Sequence, residues 1–284
     1  MDRPLKETVY SPDSELLSFG KLMHSMWGDL LASRELAWRL LVRNISAQYR
    51  QSLLGYAWAF VPPLFTTLIW VFLSSQNILD IGDTGMPYPL FVLTGTILWQ
   101  TFVEALNSPL QMVESSKAML SKINFPKEAL ILTGIGQVLF NFGIRLLLLV
   151  VVLWWYQVPL RTSMLLAPLG VIALIGLGTT LGLLLTPIGM LYQDVGRALG
   201  FGTQALFFLT PIIYPVPHAT WAAMLIKINP VTPLLQSTRD WLIVGQASQL
   251  YGFAWVCGIT LVLLAAGWIM YRIAMPHLIS RMSA

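Results

Sequence analysis

Long apolar runs recur along this chain of 284 residues, and they decide most of what it can fold into. A helix needs about 20 predominantly apolar residues to cross the hydrocarbon core of a bilayer. Six stretches reach or approach that length: 55–73, 89–106, 129–156, 165–190, 198–214 and 253–275. Composition agrees, since 56% of the residues are hydrophobic and only 11% are charged, against about 25% charged in an ordinary soluble domain. The third and fourth stretches exceed what a bilayer requires and must tilt or project into water. Pro62, Pro63, Pro168 and Pro187 fall inside these stretches, where neighbouring helices can satisfy the carbonyls a proline frees. The expected fold is an all-α membrane protein with six transmembrane helices.

Basic residues orient it. Cytoplasmic flanks of membrane helices carry an excess of Lys and Arg. With the N-terminus inside, all seventeen basic residues fall on the cytoplasmic side except Arg161, Lys227 and Arg239 outside and Arg145 within a span. Both termini are then cytoplasmic. The acidic turn 80–83 lies outside. The first fifty residues are mixed and charged, so no cleavable signal peptide is expected. The formal net charge of +4 does not point to nucleic acid, because the basic residues flank apolar segments instead of forming a patch.

Two segments are not expected to span. After a cytoplasmic segment, 1–29, comes an amphipathic helix, 30–50. Trp38, Leu41, Val42, Ile45 and Tyr49 recur on one side of it, and Arg39, Arg43, Ser46 and Arg50 on an adjacent face. That pattern suits a helix lying in the interface with its arginines reaching for phosphates; the alternative is an ordinary helix packed on a partner. The six-span domain, 51–284, holds the second such segment, 215–252, on the outside. It is too apolar for a free loop, and Pro215, Pro217, Pro230 and Pro233 divide it. It reads as two short re-entrant helices, since irregular backbone at membrane depth must pack on protein or line a wet cavity.

No enzyme chemistry is legible. The single Gly20-Lys21 pair lacks a glycine-rich lead-in, so no nucleotide site is expected in this chain. His24, His218 and His277 are scattered and Cys257 stands alone, so neither a metal nor a disulfide is expected. The spans lack the carboxylate series of a proton-coupled carrier: Glu104 and Asp194 read as lying near the cytoplasmic ends of their helices, leaving Arg145 as the one charge well inside a span. Energy must come from a partner protein.

Four segments, in order, carry a resemblance. They are RNISAQYRQSLLGYAWAFVPPL at 43–64, KINFPKE at 122–128, YQDVGR at 192–197, and PIIYP at 211–215 followed by Asn229-Pro230 and Arg239. The set resembles the permease subunits of polysaccharide and O-antigen ABC exporters, in the type-2 ABC permease family. Gln193 departs from the pattern, standing where many members carry arginine. The resemblance implies a non-catalytic homodimer bound to two copies of a separate ABC ATPase, which would hold the ATP and Mg. It implies a channel at the dimer interface, lined mainly by the first and fifth spans. The cargo would be an undecaprenyl-diphosphate-linked glycan: O-antigen-type, with capsule or teichoic-acid-like chains as alternatives.

Residue roles follow as expectations. Trp58, Phe65 and Phe72 recur every seven residues on the first span, and Phe201 and Phe208 on the fifth, with Gln204 beside them and Tyr214 at the outer end. Sugar rings stack on such faces without being held rigidly; the same rings also suit packing against lipid or other helices. Segment 111–128, with Lys117, Lys122, Phe125 and Lys127, is the expected contact for the ATPase, since Ala118, Met119, Leu120, Ile123 and Phe125 give it an apolar side; otherwise it is a solvated loop. Arg39, Arg43 and Arg50 are candidates for lipid-diphosphate or interface contacts. Arg145 either meets such a diphosphate, pairs with a polar group in the bundle, or snorkels outward. Two other functions fit the same residues: an ABC permease for a small drug or lipid, and a membrane scaffold that transports nothing.

Overall fold

The computed structural model describes residues 19–50, 55–78, 82–120, 122–123, 125–216 and 221–282. Residues 1–18, segment 51–54, Asp80 and the side chains of Tyr49, Trp221 and Arg281 lie outside the described residues. Every regular element among those described is helical.

Two helices, α1 (Phe19–Ala32) and α2 (Arg34–Tyr49), lead to a 3-10 turn, Gly55–Ala59, and to α3 (Val61–Ser75). Next come α4 (Tyr88–Ser115), the single turn α5 (Lys117–Leu120) and α6 (Glu128–Trp155). A 3-10 turn, Thr162–Leu166, runs into α7 (Ala167–Leu191), followed by α8 (Asp194–Phe208). Two short helices, α9 (Trp221–Ile228) and α10 (Val231–Ile243), precede the long α11 (Leu250–Met282).

Among the described residues, four helices are long and apolar enough to cross a membrane: Tyr88–Ser115, Glu128–Trp155, Thr162–Leu191 and Leu250–Leu278. They coincide with the expected second, third, fourth and sixth spans. The other two differ. The expected first span is a 3-10 turn followed by a helix of 15 residues, and the expected fifth is a helix of 15 residues that ends in bent chain at 209–214. Fifteen residues rise about 22 Å, short of a hydrocarbon core of about 30 Å.

The centre of the bundle is α4 against α7. A window of α4 is 78% buried and one of α7 61%, whereas α6 and α11 reach 17% and 22% and form the outside. The α4–α7 contact is close because Gly178 and Gly182, four residues apart, face α4. A Cβ at Gly178 would lie 2.7 Å from the Phe102 carbonyl oxygen, and one at Gly182 2.8 Å from Pro109 Cδ. Small residues at this spacing let membrane helices approach backbone to backbone. Around the contact, Phe102, Ala105, Leu106, Leu174 and Leu177 share one core with Leu234 and Leu235 of α10. Buried threonines on these helices satisfy their hydroxyls locally: Thr94, Thr96, Thr101, Thr180 and Thr186 each donate to the carbonyl four residues back.

Three of the four prolines expected inside spans sit where an α-helix begins. Pro62 and Pro63 occupy the first turn of α3 and Pro168 the first turn of α7, where a missing N–H costs nothing. Pro187 does lie inside its helix, as do Pro109 and Pro276.

Candidate functional site

The aromatic residues singled out in the sequence turn outward on two helices. Trp58, Phe65 and Phe72 are 55%, 64% and 61% exposed, and Phe201 and Phe208 are 78% and 53% exposed. Gln204 is exposed beside them. The first of these helices, α3, packs on α4, and the second, α8, packs on α7 and α4. Trp70 of α3 and Phe207 of α8 point inward to the central core, where Phe207 meets Trp99 of α4 with ring centroids 6.0 Å apart. Both outer faces are left uncovered by the chain's own helices. Two details differ from a single stripe. Trp58 sits on the 3-10 turn, so its spacing to Phe65 is not that of one helix. Tyr214 is half-buried, its hydroxyl donating to the Phe208 carbonyl.

The amphipathic segment breaks at Ser33, whose hydroxyl donates to the Asp29 carbonyl at 2.6 Å. Beyond the break, α2 buries Ala37 and Leu40 and half-buries Leu41, Asn44 and Ile45. It packs on α6, with Thr133 Oγ1 donating to the Ala37 carbonyl at 3.3 Å and Gln137 donating to Gln48 at 3.1 Å. Of the face read as lying in the membrane interface, Trp38 and Val42 are exposed at 65% and 45%, beside Arg39 and Arg43, while Leu41 and Ile45 are half-buried on the bundle. The physical reason is the rotation of α2: its smallest apolar edge, Ala37 with Leu40 and Leu41, makes the close approach. Arg39 pairs with Glu35 at 2.5 Å, both exposed, and Arg50 ends the helix exposed.

In segment 111–128, Leu120 is buried, and Met119 and Phe125 turn toward a core containing Leu40, Val113, Tyr271 and Met275. Ala118, Lys122 and Ile123 face outward, and Lys117 and Lys127 are half-buried. Much of the apolar side expected for docking therefore faces the bundle. Beside it lies an ion cluster that the sequence did not disclose. Arg272 of α11 reaches Asp29 of α1 at 2.7 Å and Glu128 of α6 at 3.2 Å, while the Tyr271 hydroxyl donates to the Lys127 carbonyl at 3.5 Å. Burial pushes the Lys127 ammonium below its ordinary pKa, and the adjacent Glu128 carboxylate pulls it back up.

Inside the bundle, Arg145 is 6% exposed and pairs with Glu104 of α4, which also accepts from Asn141 at 3.3 Å. Glu104 thus lies well inside α4, not near its end, and the pairing is one of the three arrangements open for Arg145. Arg239, expected as an outer charge, is 2% exposed. Its neighbours are Pro211, Ile212 and the Phe91 ring, 3.8 Å from ring centroid to guanidinium carbon. Among the described residues no group of three or more His, Cys, Asp or Glu is placed to hold a metal ion.

Known proteins match along most of this framework. The family model described as ABC-2 type transporter matches residues 35–243, from the start of α2 to the end of α10. The O-antigen export system permease protein RfbA of Myxococcus xanthus is 27% identical over 218 residues, covering 74% of this chain and 80% of that protein. The protein of the same name from Klebsiella pneumoniae is 23% identical over 219 residues, covering 74% and 80%. The polysialic acid transport protein KpsM of Escherichia coli is 23% identical over 241 residues, covering 82% and 91%.

Proposed function

We infer that this chain, which belongs to the ABC-2 type transporter family, is the membrane-spanning permease subunit of an ATP-driven exporter of polysaccharide. The observation that carries this is the run of similarity to polysaccharide export permeases, which extends over 74–82% of the chain. The cargo is a glycan carried on undecaprenyl diphosphate, of O-antigen type. Two copies of the chain face each other across a conduit and bind two copies of an ABC ATPase, which supplies ATP and Mg.

Six crossings are completed in this reading by the 3-10 turn plus α3, and by α8 plus the bent chain 209–214. The short helices α9 and α10 dip back from the outer face. The N-terminus, α1, α2 and segment 111–128 are cytoplasmic, in the inner membrane. Support for the conduit comes from the outer faces of α3 and α8, whose rings at Trp58, Phe65, Phe72, Phe201 and Phe208 no element among the described residues covers. A second copy of the chain would cover these faces. Gln204 adds hydrogen-bonding capacity there, and Tyr214 closes the outer end. Arg39, Arg43 and Arg50 on the exposed side of α2 serve the lipid diphosphate. Arg145, already paired with Glu104, serves the bundle. Lys117, Lys122, Phe125 and Lys127 lie along the segment that meets the ATPase, and α2 relays its closure to α3.

ATP hydrolysis by the complex that copurifies with this chain tests the reading, measured with and without undecaprenyl-diphosphate-linked glycan. Copurification of an ABC ATPase whose rate responds to the glycan is expected. Absence of an ATPase would leave a scaffold or an ATP-independent carrier. An ATPase that responds to small drugs or lipids and not to glycan would move the cargo to those classes.

A further inference from the structure

The chain after α8 neither continues as helix nor runs free. α8 ends at Phe208, and residues 209–214 are bent. Pro211 lacks an N–H and cannot extend the helix. Irregular backbone at membrane depth leaves carbonyls that water cannot reach, so each needs a partner inside the protein. Every carbonyl from 208 to 213 has one. Phe208 accepts from the Tyr214 hydroxyl. Leu209 accepts from Asn229 Nδ2 at 3.3 Å, and Thr210 from the Ile212 N–H at 2.7 Å. Pro211 and Ile212 accept from Arg239 Nη1 and Nη2, at 3.0 and 3.2 Å. Ile213 accepts from the Tyr88 hydroxyl at 3.0 Å.

Arg239 is the centre of this elbow. It is 2% exposed and makes no ion pair among the described residues; the neighbouring Asp240 is occupied by Ser248, at 2.8 Å from its N–H and 2.6 Å from its hydroxyl. What offsets the buried guanidinium is the pair of carbonyl dipoles and the face of Phe91. Room for it exists because position 95 is glycine. A Cβ there would overlap the guanidinium and lie 2.8 Å from the Ile212 carbonyl oxygen. Such a placement of a cation serves carbonyl capture; charge pairing would call for a carboxylate.

We propose that Arg239 is a positioning residue for export: through the Pro211 and Ile212 carbonyls it fixes the outer end of α8, and with it Phe208 and Tyr214 on the polymer path. This rests on the reading of α8 as a conduit wall. The elbow is bonded to α4 through Tyr88 and to α10 through Arg239. The outer end of α8 therefore moves with those helices as one body and does not swing open alone.

The test uses the full permease–ATPase complex in bilayer nanodiscs. Phe208→Cys in a Cys257→Ala background gives one thiol per permease chain to label with a membrane-impermeant maleimide. Arg239→Met, Arg239→Lys and Gly95→Ala are compared. Arg239→Met and Gly95→Ala are expected to leave complex assembly and basal ATP hydrolysis unchanged and to alter the labelling rate. Each is expected to lower glycan export by about tenfold or more, as misplacement of a positioned group does. Arg239→Lys keeps a cation that donates to both carbonyls and recovers most of both signals. Wild-type labelling and export in Arg239→Met would overturn the proposal, as would a fall in export with labelling unchanged. Should Arg239→Met fail to accumulate, Gly95→Ala decides alone, with unchanged labelling overturning the proposal. Labelling needs no glycan, so it judges Arg239 even if the parent complex exports nothing and the exporter reading falls.

Discussion

Arg145 on α6 and Glu104 on α4 are paired inside the bundle although they stand 41 residues apart in the chain. Removing one partner of a buried pair strands the other charge in a medium that solvates it poorly. Glu104→Ala is expected to destabilise the protein by about 3 kcal/mol, whereas the double replacement Glu104→Leu with Arg145→Leu recovers most of that loss. Thermal unfolding of the purified protein checks both. A double variant no more stable than Glu104→Ala would deny the pairing.

Gly178 and Gly182 set the distance between α4 and α7. Gly182→Val forces the two central helices apart, an overpacking worth about 1–3 kcal/mol. Gly258 on the exposed side of α11 has nothing within 4 Å of an added Cβ. Gly258→Ala should therefore raise stability by up to about 1 kcal/mol through helix propensity. Detergent melting curves should move in opposite directions for the two variants. Equal shifts would mean that the α4–α7 approach is not the close one.

The long spans are legible in the sequence because length and hydropathy belong to each segment by itself. What depends on a second segment is not. Nothing near Arg145 in the sequence marks Glu104 as its partner, and reading Glu104 as a helix-end charge followed from ending the second span at 106 when α4 runs to Ser115. Arg239 reads as an outer residue because Gln236, Ser237, Thr238 and Asp240 make its neighbourhood polar. It is buried because its helix turns this side into the protein, with Ser237 and Thr238 fully covered. The Gly178–Gly182 spacing was a usable signal for close packing. The division of the apolar face of α2 was not readable: Leu41 and Ile45 turn toward the bundle while Trp38 stays exposed, and only α6 selects between them.

Arg272 joins α1 and α6 to α11 by bridging Asp29 and Glu128. Glu128 is 4% exposed, so Arg272→Gln leaves a carboxylate without its counter-charge. The variant should lose about 3 kcal/mol, the low end of the cost of breaking a buried pair, because Asp29 is only half-buried. The loss should be local. Amide exchange should speed up in α1 and at the start of α6 while the α4–α7 contact keeps its protection. Uniform acceleration across all helices would show that the cluster holds the whole bundle and not the attachment of α1.

The exposed rings on α3 and α8 separate function from folding. Phe65 and Phe201 are 64% and 78% exposed, so replacing either by Ala removes little buried surface from the single chain. Phe207, packed on Trp99, is the contrasting neighbour. Phe65→Ala and Phe201→Ala are expected to leave the melting temperature unchanged while weakening glycan-dependent ATP hydrolysis. Each ring contact of about 1 kcal/mol changes affinity by a factor of roughly five, so combining both losses should reduce apparent glycan affinity by more than tenfold. Phe207→Ala should instead lower the melting temperature, with a loss of about 3 kcal/mol. If the two exposed variants melt early and respond to glycan like the wild type, their rings pack against protein in the membrane and the polymer runs elsewhere.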